Sequence, residues 1–144
     1  MKAITMILLT LFMAKGCSQE AKNDLAKAEI VYTANTRGFY QKITIQNQTL
    51  WISKDRNAKG KGESKKLSDK DWKELVGYFQ IMKLDEIPKL KDPTQQRFYD
   101  GAAIANLKVT YQEKEYMTTD FDHGFPPAEI KKIVDKIVSF GKEE

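Results

Sequence analysis

The sequence predicts an α+β fold: one antiparallel sheet of about five strands, in the order β-β-β-α-β-β-α, with two helices packed on one face. Three observations carry this. Phe39 to Gln46 and Ala105 to Glu113 alternate apolar and polar residues, the two-residue period of a half-buried strand. Trp72, Leu75, Val76, Phe79 and Met82 recur at helical spacing, as do Ile130, Ile133, Val134, Ile137 and Val138. Each helical stretch follows a run of strands, which is the α+β pattern.

Taken in order, Ala28 to Thr36 opens with Glu-Ile-Val-Tyr-Thr-Ala, rich in β-branched and aromatic residues, and reads as a first strand. Arg37-Gly38 supplies a turn. Ile43 and Ile45 share one face of the next strand, and Lys42, Thr44 and Gln46 the other. Asn47-Gln48 turns the chain again, and Leu50 and Ile52 resume the apolar face. Asn57 to Lys66 is polar, lysine-rich and glycine-bearing, and is expected to be a solvated loop. The alternative is that its lysines touch anionic lipid headgroups. Ser68 is a suitable N-cap, with Asp69 and Asp71 in the first turn, where negative charge suits the helix dipole. That helix fades near Leu84, and Pro88 closes the region. Leu90 to Gln96 is loop. Tyr116 to Phe121 pairs back after a turn near Glu113-Lys114. Pro126 and Pro127 suit the first turn of a last helix, and Gly141 marks its end. No internal repeat at a fixed period appears.

The 144 residues fit one domain. A hydrophobic fraction of 41% and a charged fraction of 31% describe a globular protein with a busy surface. The formal net charge is +4, from 24 basic and 20 acidic residues. Such a mild balance does not provide the concentrated basic stripe that nucleic acid requires, so no nucleic-acid partner is expected. Cys17 is the only cysteine, which excludes an intrachain disulfide framework and a thiolate zinc cluster.

The N-terminus reads as an address. Lys2 gives a positive start, and Ala3 to Ala14 is apolar and free of charge. A spanning helix takes about 20 apolar residues, so this run suits the core of a secretory signal instead. Ala14-Lys15-Gly16-Cys17 follows. In this it resembles bacterial lipoprotein precursors, which are cut before a cysteine preceded by small residues. Gly16 and Cys17 fit that pattern, while Ala14 stands where leucine is commoner and Lys15 where a small residue is usual. The alternative is an ordinary signal peptide beside a chance cysteine. The resemblance implies cleavage before Cys17, a diacylglyceryl thioether on its sulfur, and a further palmitate-type chain on its amino group. Two or more acyl chains anchor stably. Ser18 stands where some lipoproteins carry a retention aspartate, which implies the outer membrane of a Gram-negative cell. The expected organisation is a signal peptide over 1–16, a lipidated cysteine and polar tether over 17–27, and a single domain over 28–142. After cleavage Lys2 and Lys15 are lost, leaving 22 basic residues against 20 acidic ones.

Two segments at element borders mix aromatics, acids and glycine, as functional loops do. One runs from Arg97 through Phe98, Tyr99 and Asp100 to Ala103. The other holds Asp120, Asp122, His123 and Phe125. Asp120, Asp122 and His123, with Asp100, would make a metal site if they converged. A structural zinc site, however, wants four well-placed ligands, and this chain offers a single histidine. The plainer alternative is that Asp122 and His123 satisfy backbone groups where the last helix begins, and that Arg97 pairs with Asp100 to order the long loop. A general-base role for His123 lacks a nucleophile motif beside it. Gly60 and Gly62 have no strand-to-helix setting that would make a phosphate cradle. No cofactor and no catalytic residue is assigned.

The layout also resembles a family of uncharacterised bacterial periplasmic or lipid-anchored domains. The matching pieces are Ser68-Asp69 to Leu84, Tyr99-Asp100-Gly101, Leu107 to Tyr111 and Phe121 to Ile130, within Glu29 to Phe140. A cysteine pair in the opening loop, common in that family, is missing here. The resemblance implies no established activity. Three readings follow, in order. The first is a non-enzymatic, lipid-anchored binding or scaffold domain of the cell envelope, touching membrane lipid through Cys17 and an envelope protein through its domain. The second is a ligand-binding or inhibitor-like module using the Arg97–Ala103 and Phe121–Pro127 loops. The third is an enzyme or metal protein centred on His123, Asp122 and Asp100.

Overall fold

A computed structural model describes residues 24–142. The expected signal peptide, Cys17 and the expected tether up to residue 23 lie outside the described residues.

Four strands form an antiparallel meander: β1 (Glu29–Thr36), β2 (Phe39–Gln46), β3 (Thr49–Ser53) and β4 (Glu63–Lys66). β5 (Ile104–Tyr111) pairs with the other side of β1, and both β6 (Lys114–Met117) and β7 (Phe121–Asp122) pair with β5. The spatial order is β4-β3-β2-β1-β5-β6, with β7 against the first residues of β5. The fold is thus α+β with one antiparallel sheet, as expected, but the sheet has seven strands where about five were expected.

Two corrections account for the difference. Asn57 to Lys66 is loop only in its first part; Glu63–Lys66 is β4. All four of its residues are exposed, and it joins the sheet by backbone pairing with β3. Tyr116 to Phe121 is not one strand. β6 ends at Met117, the Thr118 hydroxyl accepts from the Leu107 amide, and β7 then rejoins β5 two residues lower.

Register sets the core. Ile30 lies opposite Ile45 and Val109, Tyr32 opposite Ile43 and Leu107, and Ala34 opposite Gln41 and Ala105. These side chains share one face, since alternate residues of a strand do. On that face lie α1 (Asp69–Ile81), burying Leu75, Val76 and Phe79, and α2 (Lys131–Phe140), burying Ile133, Val134, Ile137 and Phe140. Each such side chain contributes about 1.5–3 kcal/mol on leaving water. The Ser68 side chain caps α1 by accepting from the Asp71 amide. Lys136 of α2 then ties the helices together, reaching Asp71 at 2.7 Å and Glu74 at 3.0 Å. α2 is entered through a 3-10 turn, Ala128–Ile130, directly after Pro126-Pro127.

Residues 24–27 form a helical turn, Leu25 is buried in the core, and the Tyr111 hydroxyl donates to the Asp24 carboxylate at 2.7 Å. This entry lies at the end of the sheet where β1 starts. The opposite end, where β1 stops and β5 starts, gathers the β1–β2 turn, the 54–62 loop, the 90–103 segment and β7. Arg56 donates to the carbonyls of Thr36 and Phe39 and so binds two of these together. Among the described residues, no helix is long and apolar enough to cross a membrane.

Two of the three tight hairpins turn through left-handed residues that are not glycine: Asn47 and Gln48 between β2 and β3, then Gln112 and Glu113 between β5 and β6. Such turns favour glycine at the second position. Gln48 compensates, because its amide donates to the Leu67 carbonyl and the Asp69 carboxylate. Glu113 has φ 63° and is exposed. Glu113→Gly is therefore expected to raise stability by about 1 kcal/mol in urea denaturation. Gln48→Gly should not, since it forfeits the two hydrogen bonds.

Candidate functional site

The two segments singled out from the sequence meet, and one carboxylate joins them. Asp122 on β7 is 0% exposed. It accepts from the Thr94 hydroxyl at 2.6 Å, the Gln96 amide at 2.6 Å, the Arg97 amide at 3.1 Å and the Arg97 guanidinium at 3.1 Å. Arg97 also donates to the Thr94 carbonyl at 3.1 Å and to Asp92 at 2.8 Å. The 3-10 turn Gln96–Tyr99 thus has its first amides held by a buried anion.

The electrostatics follow from these contacts. Burial pushes the Asp122 carboxyl up, but the Thr94, Arg97 and Gln96 donors outweigh it and hold the group at about 2. Asp92, beside the Arg97 guanidinium, is also lowered. The Arg97 side chain is itself largely covered, so the pair is a desolvated one whose remaining donors are satisfied.

This arrangement corrects two expectations. Arg97 pairs with Asp122 and Asp92, not with Asp100. Asp100 is exposed and ends the 96–99 turn in a left-handed conformation, φ 59°. Asp122 does satisfy backbone groups, but those of Gln96 and Arg97, far from α2. Asp92 and Thr94 complete the clamp and were not singled out in the sequence. The Asp92-Pro93-Thr94 run is a turn signature that marks the place without revealing its partner.

His123 follows Asp122 but faces elsewhere. Its amide donates to the Ala103 carbonyl, and its Nδ1 lies 2.7 Å from the hydroxyl of the fully buried Tyr32. Its ring packs at 5.9 Å from that of Tyr32 and 5.6 Å from that of Phe39. Burial, and then the charge of Lys142, lower the imidazole below its ordinary value. Asp120 is exposed. Asp100, Asp120, Asp122 and His123 therefore have separate surroundings. Among the described residues, no three histidine, cysteine, aspartate or glutamate side chains gather as a metal site.

What the clamp displays is aromatic. Phe98 is 73% exposed and Tyr99 74%, with the Arg97 guanidinium over the Phe98 ring at 4.4 Å. Phe125 is 46% exposed, and its amide closes a turn onto the Asp122 carbonyl. Ile104 and Phe39 add partly exposed apolar surface close by, since Ile104 pairs with Asp122 and Phe39 lies on His123. Phe121 is the exception: it is buried in the core against Tyr32. This end of the sheet holds most of the large apolar side chains that the described residues expose. A separate cleft of about 460 Å³ lies on the helical layer, between the end of α1 and residues 84–90, and is lined by Met82, Glu86, Ile87, Leu90 and Ile130.

A scan of the chain against protein-family models finds no match, and searches of curated proteins and of solved structures find none either.

Asp122→Asn keeps the shape but removes the charge and turns an amide toward the surrounding donors. It is expected to cost roughly 3 kcal/mol. Asp100→Asn should stay within about 0.5 kcal/mol. Asp122 sits lower in the folded chain than in the unfolded one. Its contribution is complete above about pH 4 and is lost as the pH falls through about 2. Acid titration of the unfolding midpoint should show that loss in the parent chain and not in Asp122→Asn.

Proposed function

We propose that this chain is a lipid-anchored protein of the bacterial cell envelope whose domain is a non-enzymatic binding module. It is carried to the outer membrane, and Cys17 holds it there by lipid. The aromatic end of the sheet is the surface that meets an envelope protein. The layout resemblance to lipid-anchored domains without assigned activity agrees with this reading.

The observation that carries it is the pairing of display with restraint. Phe98 and Tyr99 are about three-quarters exposed, yet they stand on a turn pinned by a buried carboxylate. Exposed apolar clusters mark interaction sites more often than chance placements do. Aromatic residues on a pinned backbone have less freedom left to lose on binding, so more of their contact area appears as affinity.

An anchor at Cys17 joins the chain at the entry end of the sheet, and the eight residues of β1 separate that end from the aromatic end by about 25 Å.

Cys17→Ala should move the chain from the membrane fraction to the soluble fraction. In cross-linking from native membranes, the parent chain is expected to capture one dominant envelope protein. The Phe98→Ala/Tyr99→Ala variant should lose that capture while its stability stays within about 0.5 kcal/mol, because neither ring is buried. Equal capture by that variant would remove the aromatic end from the proposal.

A further inference from the structure

The aromatic end contains the only histidine of the chain, and its setting is unusual. Tyr32 is fully buried, and its hydroxyl meets His123 Nδ1 at 2.7 Å. A neutral imidazole with its proton on Nε2 lets the Tyr32 hydroxyl donate and Nδ1 accept, the arrangement that gives the buried hydroxyl hydrogen an acceptor. We propose that His123 is a pH-sensitive latch: the neutral ring, accepting from Tyr32, seats the 122–125 turn and Phe39, and protonation of the ring releases them.

Proton counting gives the reason. An imidazolium carries a hydrogen on both nitrogens. Nδ1–H and the Tyr32 O–H would then point at one another, so the hydroxyl must turn and accept. Its own hydrogen would face a core made of Phe121 and other apolar side chains, and a buried donor without an acceptor is costly.

The charged surroundings do not compensate. Asp122, the adjacent carboxylate, has both oxygens engaged by Thr94, Gln96 and Arg97. From the end of α2, the nearby charge acting on the ring is Lys142, which disfavours a second positive charge. Asp135 of α2 acts on the Tyr32 hydroxyl, not on the ring, and is paired with Lys131. β2 offers the ring the apolar Phe39, and the chain before β5 offers the Ala103 carbonyl, which binds the His123 amide. Burial and Lys142 together lower the imidazole, so the folded chain resists its protonation. The stability that depends on the neutral ring is complete above about pH 6.5 and falls as the pH drops below that value.

The released parts are the ones that display aromatics. The His123 ring lies under Phe39, and the turn it starts carries Phe125. Gly124 stands in that turn at φ 94°, a conformation that side-chain-bearing residues rarely adopt. The Asp122 clamp does not titrate in this range, so Phe98 and Tyr99 stay in place while Phe39 and Phe125 loosen.

A single histidine makes the test unambiguous. In the full-length chain in detergent micelles, nitrogen-15 shifts should report the Nε2–H tautomer at neutral pH. The ring should titrate below a histidine peptide in the same buffer. Exchange of the Phe125 amide, corrected for its intrinsic pH dependence, should rise several-fold between pH 7 and 5. In Tyr32→Phe that rise should be much smaller. An Nδ1–H tautomer, a midpoint at or above the peptide's, or an equal rise in Tyr32→Phe would overturn the latch. If Tyr32→Phe does not fold, the tautomer and the titration midpoint of the parent chain decide. None of these readouts involves a partner, so the latch and the proposed binding role fail separately.

Discussion

A buried carboxylate that is fully hydrogen-bonded constrains this domain more than any other single group. Asp122 sits on a strand of two residues, too short to hold itself in the sheet by pairing alone. Its four hydrogen bonds draw the 94–97 backbone onto that strand, and Arg97 extends the contact to Asp92. Without them, the 90–103 segment would be a long connection tied down only at its ends. Long loops of that kind are uncommon in small domains unless they serve a purpose. The arrangement converts a mobile stretch into a fixed platform, and it does so beside exposed aromatic rings.

The remainder of the molecule provides a rigid base. One sheet face and two helices share a continuous core, and Lys136 reaches two acids of α1 to fix the helices side by side. Phe121 and Tyr32 carry that core to the aromatic end, so the clamp and the histidine rest directly on it. The opposite sheet face carries no helix among the described residues. Lys61 lies across it, over the Trp51 ring at 4.5 Å and within reach of Glu29 and Gln46. The Thr44 hydroxyl is buried there without a partner, a small cost that the core tolerates. The chemistry therefore divides by place: packing in the helical layer, polar cover on the other face, and binding surface at one end.

Much of this was legible in the sequence, for reasons tied to particular residues. β2 and α1 announced themselves because each sets an apolar face on the core against a polar one, so Ile43, Ile45, Leu75 and Phe79 fall on a clean period. β4 did not, since Glu-Ser-Lys-Lys buries nothing and its pairing with β3 leaves no trace in side-chain type. The break between β6 and β7 was hidden because Thr118 substitutes a side-chain hydroxyl for backbone pairing. Both loops of the aromatic end were found from composition. Their connection was not, because Arg97 has Asp100 close by in sequence and Asp122 far away, and proximity favoured the wrong acid. Nothing in the sequence separates Asp122 from Asp120, since both flank Phe121 in a stretch that also holds Thr119, His123 and Gly124, yet only Asp122 is buried and so needs a partner.

The central claim is that Asp122 fixes the segment that displays Phe98 and Tyr99. Amide hydrogen exchange at Gln96 and Arg97 tests it most directly. Their N–H groups are bonded to a buried carboxylate, so both are expected to be protected to nearly the same degree as the β1 amides, although they lie outside the sheet. Exchange at the rate of an open loop at these two amides, with β1 still protected, would contradict the claim.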